Sequence, residues 1–259
     1  MPRFAQIGGR VLHYAYRPGT GRPVVFANSL GTDFRIWDDV VAGLPNSVPL
    51  LRLDKRGHGL SEGGDVSIAT LADDMAGLMD LLGLSGAVVC GVSVGGMVAQ
   101  VLAAVRPDLA ARMVLSNTGL TIGDAAGWNA RIAAIATGGM STIADTIIAR
   151  WFSPGFMAAR PALVAGYRAM LARTEAEGYC AVCAAIRDCD LTAQAATIAQ
   201  PTICLAGTED ASTTPEVVGA LARALPFATL RLIDGCGHLP CIEAPGAVIT
   251  AILDSLEAG

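Results

Sequence analysis

The sequence predicts an α/β fold in which a mostly parallel, twisted sheet carries helices on both faces. Three observations lead to this prediction. Apolar segments alternate with amphipathic helical segments, a Gly-x-Ser-x-Gly pentapeptide joins one such apolar segment to a helix, and 259 residues suffice for one large core with an insertion. The predicted strands lie near residues 10–16, 23–27, 49–53, 87–90, 112–116, 201–206 and 229–233.

The first predicted strands differ in pattern. Residues 10–16 alternate apolar and polar side chains, which is typical of a hairpin strand. Residues 23–27 and 49–53 are apolar runs, and each leads into a polar loop that contains glycine, at residues 28–31 and 54–61. In open α/β sheets, sites form in loops at the carboxyl ends of parallel strands.

The most specific signal is the pentapeptide Gly-Val-Ser-Val-Gly at residues 91–95. An apolar run at residues 87–90 leads into it and a helix-forming stretch at 97–102 leads out, which is the pattern of a nucleophile elbow. Ser93 is therefore the predicted nucleophile. The uncharged stretch 81–105 is long enough to span a membrane, but five glycines interrupt it. A buried strand followed by a buried helix explains it better.

A nucleophilic serine needs a base, and the chain has three histidines. His13 lies in the predicted hairpin strand, and His58 lies in a loop where bonds to the backbone would hold it structurally. His238 follows the strand at 229–233 and comes late in the chain, as the order Ser, acid, His requires. It is the predicted base; the alternative is a histidine that caps the helix around residues 244–247.

The acid that orients the base should follow another core strand. The strand at 201–206 is followed by Glu209 and Asp210, of which Asp210 is the better placed and Glu209 is expected to face solvent. Asp234 is an alternative, although its place in the loop before the base is more typical of a capping residue. The strand before these ends in Asn117, which cannot carry the negative charge that stabilises an imidazolium.

An oxyanion hole needs two backbone N–H groups that point at one position. Val94, directly after the serine, is predicted to supply the first. Leu30, in the loop after the strand at 23–27, is predicted to supply the second. The alternative for Leu30 is an apolar wall of the pocket, and the two roles are compatible.

Residues 120–195 have helical character and contain no convincing strand. Glycines and prolines at residues 138–139, 154–155, 161 and 178 divide this stretch into about four predicted short helices. An insertion between core strands that lies over their carboxyl ends would act as a lid. The predicted organisation is a core in two parts, residues 1–119 and 196–259, with a helical lid at 120–195.

Composition excludes several classes of protein. A net charge of −5 gives no basic surface for nucleic acid. The amino-terminal residues lack the apolar run of a secretory signal, so a cytoplasmic protein is expected.

In a cytoplasmic protein the seven cysteines are expected to be reduced, and the Cys180-x-x-Cys183 pair is interpreted as small buried apolar side chains. Cys236 and Cys241 flank the predicted base.

The chain resembles the α/β-hydrolases, and within that fold the 3-oxoadipate enol-lactonases of the β-ketoadipate pathway of aromatic catabolism. The resemblance covers nearly the whole chain. In the predicted core it rests on residues 28–33 with Trp37, 54–61, 91–95 and 207–211, and in the predicted lid on residues 128–132, 150–156 and 177–188.

The sequence departs from these lactonases at three places. Val94 stands where they usually have methionine, and residues 235–241 are closer to general esterases of the fold. Thr121 stands where the family often has lysine. These differences leave the expected chemistry intact and bear on the substrate.

The resemblance implies hydrolysis of an enol-lactone through an acyl-enzyme on Ser93, without a metal or organic cofactor. The implied substrate is a small anionic lactone, whose carboxylate requires a cation. Trp128 is expected to pack on that substrate, and Arg131 or Arg150 to bind its carboxylate. The alternatives are that Trp128 belongs to the buried stripe of a lid helix, and that either arginine is solvated or paired with Asp145.

Two other functions are compatible with the sequence. The first is a general carboxylesterase or lactonase that acts on small esters, which the residues around the predicted base favour. The second is a receptor that binds a small ligand on a hydrolase fold, against which the apparently complete set of catalytic residues argues. The sequence does not indicate the oligomeric state.

Overall fold

The computed structural model describes residues 2–257. The eight strands are β1 (Pro2–Ile7), β2 (Arg10–Arg17), β3 (Val24–Ala27), β4 (Leu50–Leu53), β5 (Ala87–Val92), β6 (Ala110–Ser116), β7 (Thr202–Gly207) and β8 (Ala228–Ile233). They form one sheet in the order β1-β2-β4-β3-β5-β6-β7-β8. Only the pairs β1/β2 and β2/β4 are antiparallel. The other five pairs are parallel, which confirms the predicted fold class.

All seven predicted strands are present, and β1 is a strand that we did not predict. It pairs only with β2, at the edge of the sheet. Its described side chains are exposed or half-buried, and Phe4 keeps 59% of its surface in solvent. An edge strand of this kind needs no apolar run, so the pattern that identifies buried strands does not detect it.

Helices cover the sheet in two layers. They are α1 (Asp38–Ala42), α2 (Ile68–Leu81), α3 (Val94–Val105), α4 (Ala125–Gly138), α5 (Ser141–Trp151), α6 (Pro154–Ala159), α7 (Pro161–Ala172), α8 (Ala176–Arg187), α9 (Thr192–Ala195), α10 (Pro215–Ala224), α11 (Pro240–Glu243) and α12 (Pro245–Glu257). One layer is α3 with α2, where α3 packs on β3, β5 and β6. The other is α12 with α1, where α12 packs on β5, β6 and β7. No helix among the described residues is long and apolar enough to cross a membrane.

Six helices, α4 to α9, lie between β6 and β7, where the sequence predicted about four. Two of the six are short, since α6 has six residues and α9 has four. Pro154 and Pro161 each start a new helix, as proline does at a first helical position. Gly178, which we expected to divide two helices, lies inside α8 instead. We call residues 120–195 the helical insertion.

The sheet is strongly apolar where the site forms. Every residue of β5 is buried, as is nearly every residue of the helix α3 that follows it. The burial of β5 and α3 fixes the position of β5, and with it the turn that leads into α3.

The seven cysteines are free; five are buried, and Cys180 and Cys189 are half-buried.

Candidate active site

Ser93 occupies a sharp turn between β5 and α3. Its backbone has φ 58° and ψ −124°, a conformation that is strained for a residue with a side chain. The turn fits only because its neighbours are small: a Cβ on Gly91 would lie 2.4 Å from the Gly95 carbonyl oxygen, and a Cβ on Gly95 would lie 2.1 Å from that of Ala27. The serine side chain consequently faces the cavity above the sheet.

His238 and Asp210 form a buried pair at the carboxyl ends of the last two strands. The distance from His238 Nδ1 to Asp210 Oδ2 is 2.8 Å, and the two residues keep 4% and 3% of their surface exposed. The backbone N–H of His238 donates to the Trp151 carbonyl at 2.8 Å, which fixes the loop before the ring. The two alternative acids, Glu209 and Asp234, are exposed to solvent and do not contact this ring.

The environment of Asp210 favours its charged form. Burial by itself would raise the pKa of this carboxyl, but the charge of His238 and its hydrogen bond outweigh burial and lower it. The Thr213 hydroxyl lies 2.7 Å from Oδ2, and the backbone N–H groups of Ser212 and Thr213 donate to Oδ1 at 2.7 and 3.1 Å. A carboxylate held in this way can stabilise a positive charge on the imidazole beside it.

Ser93 and His238 line the same cavity. Among the residues that the structure describes, no hydrogen bond joins Ser93 Oγ to the imidazole. Such contacts are often long in free enzymes and tighten when substrate binds. The arrangement therefore brings a candidate nucleophile and a candidate base to one cavity.

The loop that carries Leu30 is held from below by two buried side chains. Lys55 Nζ donates to the Ser29 carbonyl at 2.6 Å and to the Thr32 carbonyl at 3.1 Å. His58 Nε2 accepts a hydrogen bond from the Gly31 N–H at 3.0 Å. Leu30, between these anchors, is 5% exposed and lines the cavity.

The other two histidines thus have the positions expected of structural residues. His58 bonds to the backbone through both ring nitrogens, since its Nδ1 lies 3.1 Å from the Arg56 carbonyl oxygen. His13 pairs with Asp54 at 2.7 Å and lies outside the lining of the cavity that contains Ser93.

The cavity has a volume of about 410 Å³, and residues of the helical insertion form much of its lining. Its walls combine apolar side chains with two guanidinium groups, those of Arg131 on α4 and Arg150 on α5. The residues that line it are Ser29, Leu30, Ser93, Ile122, Gly123, Asp124, Gly127, Trp128, Arg131, Thr142, Ile143, Thr146, Ile147, Arg150, Trp151, Tyr179, Ser212 and His238.

The structure brings Trp128 and Arg131 together. The guanidinium carbon of Arg131 lies 4.7 Å from the centre of the Trp128 ring, and Trp128 Nε1 donates to the Ile122 carbonyl at 2.6 Å. Neither Arg131 nor Arg150 forms an ion pair within the part of the chain that the structure describes. Asp145, the acid that we considered as a partner for them, pairs with Arg168 instead.

Several residues at the site were not predicted. Tyr179 lines the cavity from α8. In the sequence, its segment, residues 177–188, was noted only for its resemblance to the enol-lactonases. Asn117 and Thr213 contact the Asp210–His238 pair or its loops, and Asn117 was considered only as an acid and rejected. Thr121, one of the departures from the resembled family, is exposed and is not among the lining residues.

Comparisons with a family model, with curated relatives and with solved structures all find hydrolases of the α/β fold. The family model described as "Alpha/beta hydrolase family" matches residues 19–251. The chain is similar to 3-oxoadipate enol-lactonase 2 of Acinetobacter baylyi, at 33% identity over 93% of this chain and 91% of that protein. Its structure is similar to the crystal structure of the enol-lactonase from Burkholderia xenovorans LB400, with a TM-score of 0.94, 35% identity and coverage of 97% and 98% of the two chains. A thermophilic esterase from Thermogutta terrifontis is also similar, with a TM-score of 0.90, 27% identity and coverage of 99% and 98%.

Proposed function

Because the chain belongs to the α/β-hydrolase family and is an ester hydrolase of that family, we propose that it hydrolyses 3-oxoadipate enol-lactone to 3-oxoadipate. The observation that carries this proposal is the composition of one cavity. It joins Ser93 and His238 to two arginines that have no ion-pair partner among the described residues. Relatives named as enol-lactonases match almost the full length of the chain, which supports the same substrate. The reaction belongs to aromatic catabolism.

The proposed mechanism is acyl transfer through Ser93. His238, oriented by Asp210, takes the proton of Ser93 Oγ while this oxygen attacks the lactone carbonyl. The N–H groups of Leu30 and Val94 stabilise the negative oxygen of the tetrahedral intermediate. When the intermediate collapses, the ring C–O bond breaks and His238 returns its proton to the leaving enol.

The second half of the reaction regenerates the enzyme. The released enol tautomerises to a ketone, so ring opening is effectively irreversible. A water molecule then gives a proton to His238 and attacks the acyl-enzyme carbonyl. The Ser93–acyl bond breaks, the proton returns to Ser93 Oγ, and the dicarboxylic product leaves.

The lid role and the binding of the substrate carboxylate are part of the proposal. Arg131 lies over the Trp128 ring, a position in which a cation on an aromatic surface still has free N–H donors. Arg150 faces the same cavity from the next helix. A planar guanidinium fits a carboxylate better than a neutral ester, and two such groups in the cavity support an anionic lactone as the substrate.

The test of this function is steady-state turnover of 3-oxoadipate enol-lactone and of a neutral aryl acetate by the purified protein and its Ser93→Ala variant. We expect a specificity constant for the lactone that is orders of magnitude higher than for the aryl ester. Ser93→Ala should reduce both activities by about 10⁴-fold or more, because the nucleophile is lost.

A preference for the neutral ester would contradict the proposal and favour the second candidate, a general carboxylesterase. The similarity to the Thermogutta terrifontis esterase supports that candidate. If neither protein turned over either substrate, and Ser93→Ala bound the lactone as tightly as the unchanged protein, the result would instead indicate a binding protein without catalysis.

Removing the proposed carboxylate ligand should affect only the anionic substrate. We expect Arg131→Ala to raise KM for the lactone by about tenfold, since a hydrogen bond to a charged group contributes on the order of 1.5 kcal/mol or more, and to leave the aryl acetate nearly unchanged. Arg168→Ala is the matched control, because Arg168 lies on the same insertion but pairs with Asp145 at the surface. Equal changes for both substrates would exclude this role for Arg131.

A further inference from the structure

Asn117 links the two loops that carry the acid and the base. It follows β6, is completely buried, and has φ 45°, a left-handed conformation that asparagine tolerates better than most residues. Its side-chain oxygen accepts a hydrogen bond from the Gly207 N–H at 2.9 Å. Its side-chain nitrogen donates to the Gly237 carbonyl at 2.8 Å. One amide therefore bridges the end of β7 and the residue directly before His238.

A second connection runs from the Asn117 backbone to the same pair. The Thr213 hydroxyl lies 2.7 Å from the Asn117 carbonyl oxygen and 2.7 Å from Asp210 Oδ2. It is also 3.3 Å from His238 Nδ1. Thr213 is completely buried, so these contacts are shielded from water. Asn117 thus contacts the acid side through Gly207 and Thr213, and the base side through Gly237.

We propose that Asn117 is a positioning residue that sets the distance and alignment of the Asp210–His238 hydrogen bond. The inference rests on the proposed function of that pair as acid and base. Asp210 and His238 lie on loops that follow separate strands, so their alignment depends on how those loops are held together. Asn117 fixes both loops to the end of a third strand.

An amide is the group that these two contacts require. The bridge needs an acceptor for Gly207 N–H and a donor for the Gly237 carbonyl on one short side chain, and asparagine supplies both. Aspartate would keep the acceptor but would place a second oxygen against the Gly237 carbonyl. Glycine would keep the left-handed backbone but would break both contacts.

The proposal is tested with Asn117→Gly and Asn117→Asp. Three quantities are measured: kcat and KM for the neutral aryl acetate, the low-field proton NMR resonance of the hydrogen bond between His238 Nδ1 and Asp210, and the midpoint of urea unfolding. Gln200→Ala is the matched control. Gln200 is another buried amide, which donates to the Ala103 carbonyl at 3.0 Å, but it lies at the opposite end of β7.

We expect Asn117→Gly to lower kcat by about tenfold to a hundredfold with little change in KM, because small displacements of catalytic groups cost rates of this order. The low-field resonance should shift or broaden. Asn117→Asp should show the same changes, and it remains informative if the glycine variant does not fold. Gln200→Ala should lower the urea midpoint without changing kcat or the resonance.

A purely structural role for Asn117 would give a different result. Both Asn117 variants would then lower the unfolding midpoint while the folded protein kept its kcat and its low-field resonance, and this outcome would overturn the proposal. Failure of the proposed function is separately visible. It would appear as turnover of the aryl acetate that survives Ser93→Ala, whereas the resonance reports on the Asp210–His238 pair whatever the substrate.

Discussion

At the scale of single residues, His58 shows how a neutral imidazole can hold a loop beside the candidate site, the loop that carries Leu30. Its Nε2 accepts from the Gly31 N–H, so the ring must be unprotonated at that atom. Burial, with a smaller contribution from the charge of Lys55, lowers the pKa of His58 well below its usual 6.5. The folded protein therefore keeps this ring neutral at a pH where the unfolded chain would bind a proton.

This difference makes stability depend on pH. Below about pH 6.5 the unfolded chain binds a proton at His58 that the folded protein does not, so the free energy of unfolding falls as the pH falls, by up to about 1.4 kcal/mol per pH unit. We expect His58→Gln to reduce this slope by about 1 kcal/mol per pH unit between about pH 6 and 5, because glutamine keeps an acceptor and does not titrate. Urea unfolding at several pH values measures the slope. An unchanged slope would show that other groups cause the acid sensitivity.

At the scale of elements, one of the contacts between the helical insertion and the core is made by two glycines. A Cβ on Gly178 of α8 would lie 2.5 Å from the Cα of Gly57, and a Cβ on Gly57 would lie 2.4 Å from the Cα of Gly178. Backbone packs directly against backbone at this contact. It places Tyr179 against the cavity and 6.2 Å, centre to centre, from the ring of His58.

Adding one methyl group at this contact should separate the two elements. We expect Gly178→Ala to lower the free energy of unfolding by about 1–3 kcal/mol, the usual cost of overpacking, and to raise KM as Tyr179 moves. Gly166→Ala is the control, because Gly166 also lies inside a helix of the insertion but has nothing within 4 Å of an added Cβ. That change should be neutral or raise stability by up to about 1 kcal/mol. Urea unfolding of both variants measures the difference, and equal effects would contradict the packing argument.

The strands and helices also show which structural features can be predicted from local sequence patterns. The buried strands were predicted because a strand such as β5 must be apolar throughout. β1 was missed because its segment, PRFAQI, contains no apolar run. Gly178 was interpreted as a helix break, since its actual reason, close contact with Gly57, depends on a residue 121 positions earlier in the chain.

At the scale of the whole molecule, the location of the candidate site could be predicted because the order of the strands determines it. Ser93, Asp210 and His238 each follow a core strand, and parallel strands bring their carboxyl ends to one edge of the sheet. In the structure Ser93 and His238 line one cavity, and Asp210 contacts His238. The contacts of Asn117 could not be predicted in this way. They join it to residues 90 and 120 positions away, and their formation depends on hydrogen-bond geometry rather than on strand order.

The place of the insertion between β6 and β7 has a consequence for how such enzymes diversify. The two strands are hydrogen-bonded neighbours, so the 85 residues at 117–201 form a loop whose ends are held together by the sheet. The entropy of closing a loop grows only with the logarithm of its length, and doubling the length costs about 0.6 kcal/mol. The polypeptide between these strands can therefore be lengthened, shortened or exchanged with a small penalty from loop closure. Reactivity, which we assign to the strand ends, and substrate selection, which we assign to the helical insertion, can in this way be inherited separately.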